Sequence, residues 1–282
     1  MSGEDKLKKY ETELADNSRS QAQHISGSGT MHIEGVGDIS VSGSGSVSRD
    51  EISISGSSRL PGGLKTKRMN CAGSIIFSGD VEAEEMRLSG STAVQGNVNA
   101  EALEASGRLA INGGIKGSTV EVAGSFKVGK SIELDNSLQV HGFLQAAEDV
   151  NVKKLVKLRG GFDIEGRVVT GNFEVRLRRM ECHVRKGIEA INVDIRKSAG
   201  RDLILFGFPV LGKVFGRQIL YTTDVLAKEN VYLENVTCDT VHGKRVILGE
   251  GCEVRGKVQY SESVSIHPNA KLVNPAEKVD VK

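Results

Sequence analysis

The sequence predicts an all-β fold, a single-stranded parallel β-helix in which the chain winds as a triangular solenoid with 17 residues in each coil. Two observations lead to this prediction. Seven consecutive segments of 17 residues repeat, with one extra residue before each of the last two (Ser137 and Leu155), and apolar residues alternate with polar residues inside each segment. Alternation with a period of two is typical of strands, because successive side chains leave opposite faces of the backbone. The segments also share a glycine at their fifth position: Gly56, Gly73, Gly90, Gly107, Gly124, Gly142 and Gly160.

Each repeat is predicted to hold three short strands joined by three corners. The alternation stops at positions 5, 11, 16 and 17, and glycine suits such corners because it adopts positive φ without a Cβ penalty. Coiling buries all inward positions at once, which a flat hairpin sheet of these segments would not do. Seven coils stacked at about 4.8 Å give a rod about 30 Å long. The repeats start at residues 52, 69, 86, 103, 120, 138 and 156, and their positions 1, 3, 9 and 13 are apolar in all seven.

The segments on the N-terminal side of the repeats are predicted to be irregular. Residues 1–24 are polar and are predicted to form a disordered tail, with the alternative that residues 7–14 form a short amphipathic helix capping the rod. From residue 25 to 51 a shorter repeat rich in Gly and Ser predicts irregular first coils, in a β-helix that extends to residue 202. The inward candidates of these first coils are Ile33, Ile39 and Val41.

The register of the repeat blurs after Asn172, and residues 203–222 break it with an apolar excursion or loop. Glycine, proline and charged residues interrupt this segment, so it lacks the apolar length needed to span a membrane. It either folds back on the rod or presents an apolar patch to a partner, another protomer or a bilayer surface. Coils are predicted to resume over residues 223–273, followed by a tail at 274–282. The candidate patch residues are Phe206, Phe208, Val210, Leu211, Val214 and Phe215.

The composition narrows the function classes. The chain of 282 residues carries 37 basic and 36 acidic side chains, a balance that argues against general nucleic-acid binding. Residues 1–24 contain no apolar run typical of a signal peptide, which predicts a cytoplasmic protein. The four cysteines lack metal-ligand spacing, and Cys71 falls at an inward position, where a buried thiol acts as a small hydrophobic side chain.

The outward positions offer no catalytic constellation. Carboxylates on successive repeats, such as Glu84 with Glu101 and Glu104 with Glu121, lie among the mixed charges of a solvated surface. The six histidines are scattered without ligand spacing, and no GxxxxGK[ST] phosphate loop occurs. The sequence therefore predicts a protein that is not an enzyme and that has no catalytic residue, cofactor or metal site.

The rows MRLSGSTAVQGNVNAEA and LEASGRLAINGGIKGST share a cadence of strand, SGxxxIxG and strand. With their glycine corners they resemble the bactofilin family of polymer-forming cytoskeletal proteins, over residues 25–172. The run VYLENVTCDTVHGKRVILGEGCEV resembles the distal part of the longer members found in Gram-positive bacteria and some archaea. The resemblance implies a right-handed, cytoplasmic β-helix that assembles end to end without nucleotide and scaffolds envelope or motility proteins.

The ends of the rod are the predicted assembly sites, because terminal coils expose unpaired backbone N–H and C=O groups. The candidate residues are Ile33 and Ile39 at one end and Val264 and Ile266 at the other, and the predicted partner is another copy of the chain. Two other functions remain open. One is a non-polymerising adaptor that docks a partner or membrane surface through residues 203–221, and the more distant one is a carbohydrate-active β-helix enzyme.

Overall fold

The chain folds as one long solenoid of strands. The computed structural model describes residues 23–33, 37–48, 50–178, 180–198, 204–205, 208–209 and 217–280. Over these ranges the chain forms a mostly parallel β-solenoid of about 12 turns with about 17 residues per coil, and it contains no helix. The predicted all-β fold class is confirmed.

The described residues form twenty strands, of which eighteen belong to one sheet. The first nine are β1 (Gln23–Ile33), β2 (Gly37–Val47), β3 (Glu51–Leu60), β4 (Leu64–Phe77), β5 (Val81–Val94), β6 (Val98–Ile111), β7 (Ile115–Val128), β8 (Ile132–Ala146) and β9 (Val150–Ile164). The others are β10 (Val168–Leu177), β11 (Glu181–Val184), β12 (Ile188–Lys197), β13 (Ile204–Leu205), β14 (Phe208–Pro209), β15 (Ile219–Thr222), β16 (Asp224–Leu233), β17 (Val236–Leu248), β18 (Glu253–Ile266), β19 (Lys271–Leu272) and β20 (Glu277–Lys278).

Each regular coil has three faces: face one at positions 1–4 of the repeat, face two at positions 7–9 and face three at positions 13–15. The sequence predicted three separate strands per coil, whereas β4 to β9 are single strands of 14 or 15 residues that bend around two corners. At the third corner the ladder omits one residue, since Thr66 pairs with Ala83 and the next pair is Arg68 with Glu85. The strands break only at the second corner, positions 10–12. Three corners per coil are therefore present, but only one interrupts the strand.

The first corner is built on a continuous column of glycines, which we call the corner-glycine column. Every member has positive φ, and each is paired with the next across the ladder. A Cβ on Gly107 would lie 2.2 Å from the carbonyl oxygen of Gly90, and the other parallel coils are equally tight. Only glycine tolerates both the conformation and the contact. The column comprises Gly27, Gly43, Gly56, Gly73, Gly90, Gly107, Gly124, Gly142 and Gly160.

The first layers of the rod are an antiparallel hairpin, so the prediction of irregular parallel coils over residues 25–51 is wrong. β1 pairs antiparallel with β2, and β2 pairs antiparallel with β3. Because the direction is reversed twice, β1 runs in the same direction as the parallel coils. The predicted inward residues Ile39 and Val41 are buried in this hairpin, and the side chain of Ile33 lies outside the described residues.

The repeat blurs after residue 172 because of insertions at the first corner. In a regular coil the residues at positions 3 and 7 are four apart, as Leu248 and Cys252 are. Val175 and Cys182, which occupy these positions, are seven apart, and Ile195 and Leu220 are 25 apart. The ladder register is nevertheless kept on all three faces, and β16, β17 and β18 pair in parallel as successive coils.

Polar ladders join successive coils on the outside. Asn192 donates from Nδ2 to Oδ1 of Asn172 at 3.0 Å, Asn230 donates in the same way to Asn192 at 2.7 Å, and Arg245 Nε donates to Asn230 Oδ1 at 2.8 Å. These residues directly follow the third corner, and their side chains join the coils in addition to the backbone ladder, in which the same residues are paired.

We expect Gly107→Ala to lower the free energy of unfolding by at least about 2 kcal/mol, since it adds left-handed strain and a clash with the Gly90 carbonyl. Urea denaturation followed by circular dichroism measures this change. Ser106→Ala, at the adjacent exposed position, is the control and should stay within about 0.5 kcal/mol of the native protein. Equal midpoints for the two variants would contradict the role of the column.

Candidate functional site

The C-terminal end of the rod is an open coil. Its first inward residues are Val264 and Ile266, which stand in register above Val246 and Leu248 of the preceding coil. Val246 and Leu248 are at most 1% exposed, whereas Ile266 is 42% exposed and Val264 is half-buried. These side chains point toward the core, but no further coil covers them among the described residues.

The rest of the last coil repeats this incomplete burial. Ala270, Leu272 and Ala276 are half-buried and pack against the core from faces two and three. The short strands β19 and β20 pair in parallel with β18 and complete this coil. The half-buried apolar residues that contact the core all lie in the first layer or the last two coils: Ile25, Tyr260, Val264, Ala270, Leu272 and Ala276.

The backbone of the last coil presents a free edge. Ser263–Ile266 pairs on one side with Arg245–Leu248, and no described strand pairs with its other side. Such an edge is a template for another strand, because its N–H and C=O groups lack partners. The apolar side chains and the free edge occur at the same place.

The N-terminal end has a different character. Its outermost strand, β1, pairs only with β2 among the described strands. Met31 is 4% exposed and Ile25 is half-buried, while the other described side chains of β1 are exposed and mostly Ser, Gly, Thr, Gln or His. This end is therefore better covered than the C-terminal end, although its backbone edge is also open.

The residues predicted from sequence fall in different places. Val264 and Ile266 lie at the C-terminal end, as the prediction required. Ile39 is fully buried and lies one strand in from the N-terminal edge, where Met31 pairs with it in the outer strand. The sequence analysis did not identify Ile25 as an inward residue of the first layer. Ile25 precedes Gly27 by two residues, and the pairing of Gly27 within the corner-glycine column shows that Ile25 is inward.

The candidate patch residues Phe206, Val210, Leu211, Val214 and Phe215 lie outside the described residues, and of Phe208 only the backbone is described.

A groove of about 700 Å³ runs along face three and was not predicted. Two of its carboxylates are engaged by lysines of neighbouring coils: Lys116 Nζ lies 2.8 Å from Glu133 Oε2, and Lys153 Nζ lies 2.6 Å from Asp135 Oδ1. The hydrogen bond from Lys116 lowers the pKa of Glu133, which is the opposite of what a general acid requires. No aromatic side chain lines the groove to stack on a sugar ring.

Other chemistry is absent from the part of the chain that the structure describes. No group of three or more His, Cys, Asp or Glu side chains is arranged to hold a metal ion there. No helix within the same ranges is long and apolar enough to cross a membrane. Cys182 is buried while the neighbouring His183 faces outward and stacks on Tyr221 with ring centroids 5.4 Å apart, so the two side chains cannot act together.

All four cysteines are free and buried. Burial raises the pKa of Cys71 to about 12 and that of Cys182 to about 11, and it also raises the pKa of Cys238. Burial is also the main cause that raises the pKa of Cys252 to about 11. These thiols are side chains of the core, as predicted for Cys71.

Comparisons of the chain with protein-family models, with curated proteins and with solved structures found no match. The function is therefore inferred from the geometry of the chain itself.

We expect none of the four thiols to react with Ellman's reagent at pH 8 while the protein is folded, because each is buried and holds its proton. All four should react after unfolding in guanidinium chloride. Absorbance at 412 nm counts the released thiolate. Rapid labelling of even one thiol in the folded protein would contradict this assignment.

Proposed function

We propose that this chain is a non-enzymatic structural protein whose solenoid assembles end to end without nucleotide, as its resemblance to bactofilins implies. The observation that carries the proposal is the open C-terminal coil, with its exposed Ile266 and the free backbone edge of Ser263–Ile266. We further propose that assembly takes place in the cytoplasm, with envelope or motility proteins as cargo.

The energetics favour addition of a strand layer at this end. Full burial of an aliphatic side chain contributes about 1.5–3 kcal/mol, and Ile266, Val264 and Leu272 each have part of this burial still to gain. The edge residues already lie in a strand, so pairing requires little loss of conformational freedom. Backbone groups that are solvated at a free end become bonded in the ladder, as they are in every coil below.

The proposal of a protein without catalytic activity is supported by the carboxylates on the sides of the rod. In the groove, the carboxylates of Glu133 and Asp135 are paired with lysines, and the hydrogen bond from Lys116 lowers the pKa of Glu133, whereas a glycosidase requires one carboxylic acid that holds its proton near neutral pH. The groove suits a solvated surface between columns of ion pairs. No observation on the described residues favours the adaptor that docks through residues 203–221.

The proposal predicts that the native protein forms particles heavier than the 30.2 kDa chain, whereas Ile266→Lys stays monomeric. The charge would be buried at the junction without a partner, which strongly opposes association. Light scattering after size exclusion, over a range of concentrations and without nucleotide, measures the mass. Negative-stain imaging shows whether the particles are linear.

Ile247→Lys is the matched control. Ile247 is 43% exposed, against 42% for Ile266, but it sits at an outward position one coil below the end. Its replacement should leave assembly unchanged. The proposal would be contradicted by a native protein that is strictly monomeric at high concentration. It would also be contradicted if Ile266→Lys and Ile247→Lys changed the particle mass equally.

A further inference from the structure

We propose that the groove along face three is a docking site for an extended, acidic segment of a partner protein. The site is the part of the groove lined by Val169, Gly171 and Ile191, which we call the apolar section. The inference rests on the proposed function of a scaffold, and it adds the surface that holds a cargo protein and the chemistry of the segment that binds there. Because the apolar section lies on the side of the rod, end-to-end assembly leaves it accessible.

The groove follows the axis of the rod over seven coils. One wall consists of outward residues of face three, which stack in register from Asn99 to Glu189. The other wall consists of residues that the ladder omits at the third corner, from Glu101 to Lys228. The six intervals between the seven coils, at about 4.8 Å each, make the groove about 29 Å long.

The width of the groove decides between an extended and a helical partner. Its two walls are two residues apart within each coil, which corresponds to about 7 Å along a strand. An α-helix with its side chains is about 10–12 Å across and does not enter. An extended segment does enter, and at about 3.3 Å per residue, about nine residues fill the length of the groove.

The apolar section interrupts two walls that are otherwise polar. Val169 is 37% exposed and Ile191 is 45% exposed, and they are two of the six large hydrophobic side chains that are exposed among the described residues. Nothing in the described part of the chain covers them. The preceding wall residues are Lys65, Glu82, Asn99, Lys116, Glu133 and Asn151 on face three, and Lys67, Glu84, Glu101, Ser118, Asp135 and Lys153 at the third corner.

Gly171 opens a notch in the third-corner wall. A Cβ on Gly171 would lie 2.7 Å from the carbonyl oxygen of Lys154, so this coil has no room for a side chain there. The floor beside the notch is formed by the buried residues Thr170 and Ala190. An aliphatic side chain of a partner can therefore insert between Val169 and Ile191.

The charges around the apolar section favour an acidic partner. Lys153 is paired with Asp135, and Glu189 is paired with Arg167. Lys154 and Lys228 lie one coil before and one coil after the apolar section, and both are exposed. Neither lysine forms an ion pair with another residue that the structure describes. Carboxylates on both sides of the apolar residues of a partner complement these two lysines, whereas a basic segment is repelled.

A synthetic peptide is a direct probe of this site. The probe has nine residues, with leucine at the fourth and sixth positions, two aspartates at each end and serine elsewhere. In an extended conformation both leucines and one aspartate from each end leave the same side of the backbone. We expect the probe to bind the native protein, as measured by fluorescence anisotropy of a dye on its terminus. Replacing all four aspartates by lysine should weaken binding at least about tenfold.

Variants of the groove test where the probe binds. Ile191→Asp should weaken binding at least about tenfold, because it removes an apolar wall and repels the carboxylates. Lys228→Glu should weaken it about threefold at low salt and less at high salt, since exposed charges are screened. Ile247→Asp is the matched control, because Ile247 is 43% exposed but lies on face one, and it should leave the affinity unchanged.

The milder Ile191→Ala guards against misfolding and should weaken binding about threefold, with an unchanged midpoint of urea denaturation. Equal affinities of the probe for the native protein, Ile191→Asp and Ile191→Ala would overturn the inference. A loss of particle mass in Ile191→Asp would show that a second copy of the chain occupies the groove, which would also overturn it.

The proposed assembly can fail without the docking site failing, because the probe binds a single chain. A native protein that binds the probe through Ile191 but stays monomeric contradicts end-to-end assembly and supports the docking site. A native protein that assembles but does not bind the probe contradicts the docking site and leaves the assembly supported.

Discussion

The close contact between successive backbones at the first corner is the constraint on which the rest of the solenoid depends. From Gly43 to Gly160 in the corner-glycine column, a Cβ would come within 1.9–2.4 Å of a carbonyl oxygen, so the corner closes only when glycine stacks on glycine. A one-residue turn at the same place in each regular coil superposes the inward positions on its two sides. Superposed apolar positions make a core from short strands that cannot bury their faces alone.

The end of this column explains the irregular part of the chain. Leu177 and Lys197 occupy the place that Gly160 holds one coil earlier, and the chain leaves the corner in longer segments there. Leucine and lysine rarely adopt the positive φ of the tight turn, so the connection is longer at these two coils. Asn235, the one described non-glycine residue with positive φ, at 53°, restores a tight turn two coils later, because asparagine tolerates the left-handed region. The insertions therefore occur in the coils that lack a glycine at the first corner.

The sequence was sufficient for the coil and its inward columns. It was insufficient for the N-terminal strands, because alternation indicates which side chains face inward but carries no information on strand direction. Ile39 and Val41 are inward as predicted, yet they lie on a reversed strand. The register of Ile25 depends on pairing through β2, and no local pattern reports it. The asparagine ladder was missed for a similar reason, since Asn172, Asn192 and Asn230 are brought together only after the insertions are removed.

The sides and ends of the rod differ in how far their interactions are satisfied. On the sides, ion pairs such as Lys65 with Glu82 and Lys157 with Glu174 join adjacent coils of the same chain. Exposed pairs of this kind add little stability, and pairing within one chain leaves these charges little to gain from a second rod lying alongside. At the ends, inward aliphatic side chains and ladder groups have no such partner among the described residues. This difference between sides and ends is what the proposed end-to-end assembly depends on, because it would favour growth in length over growth in thickness.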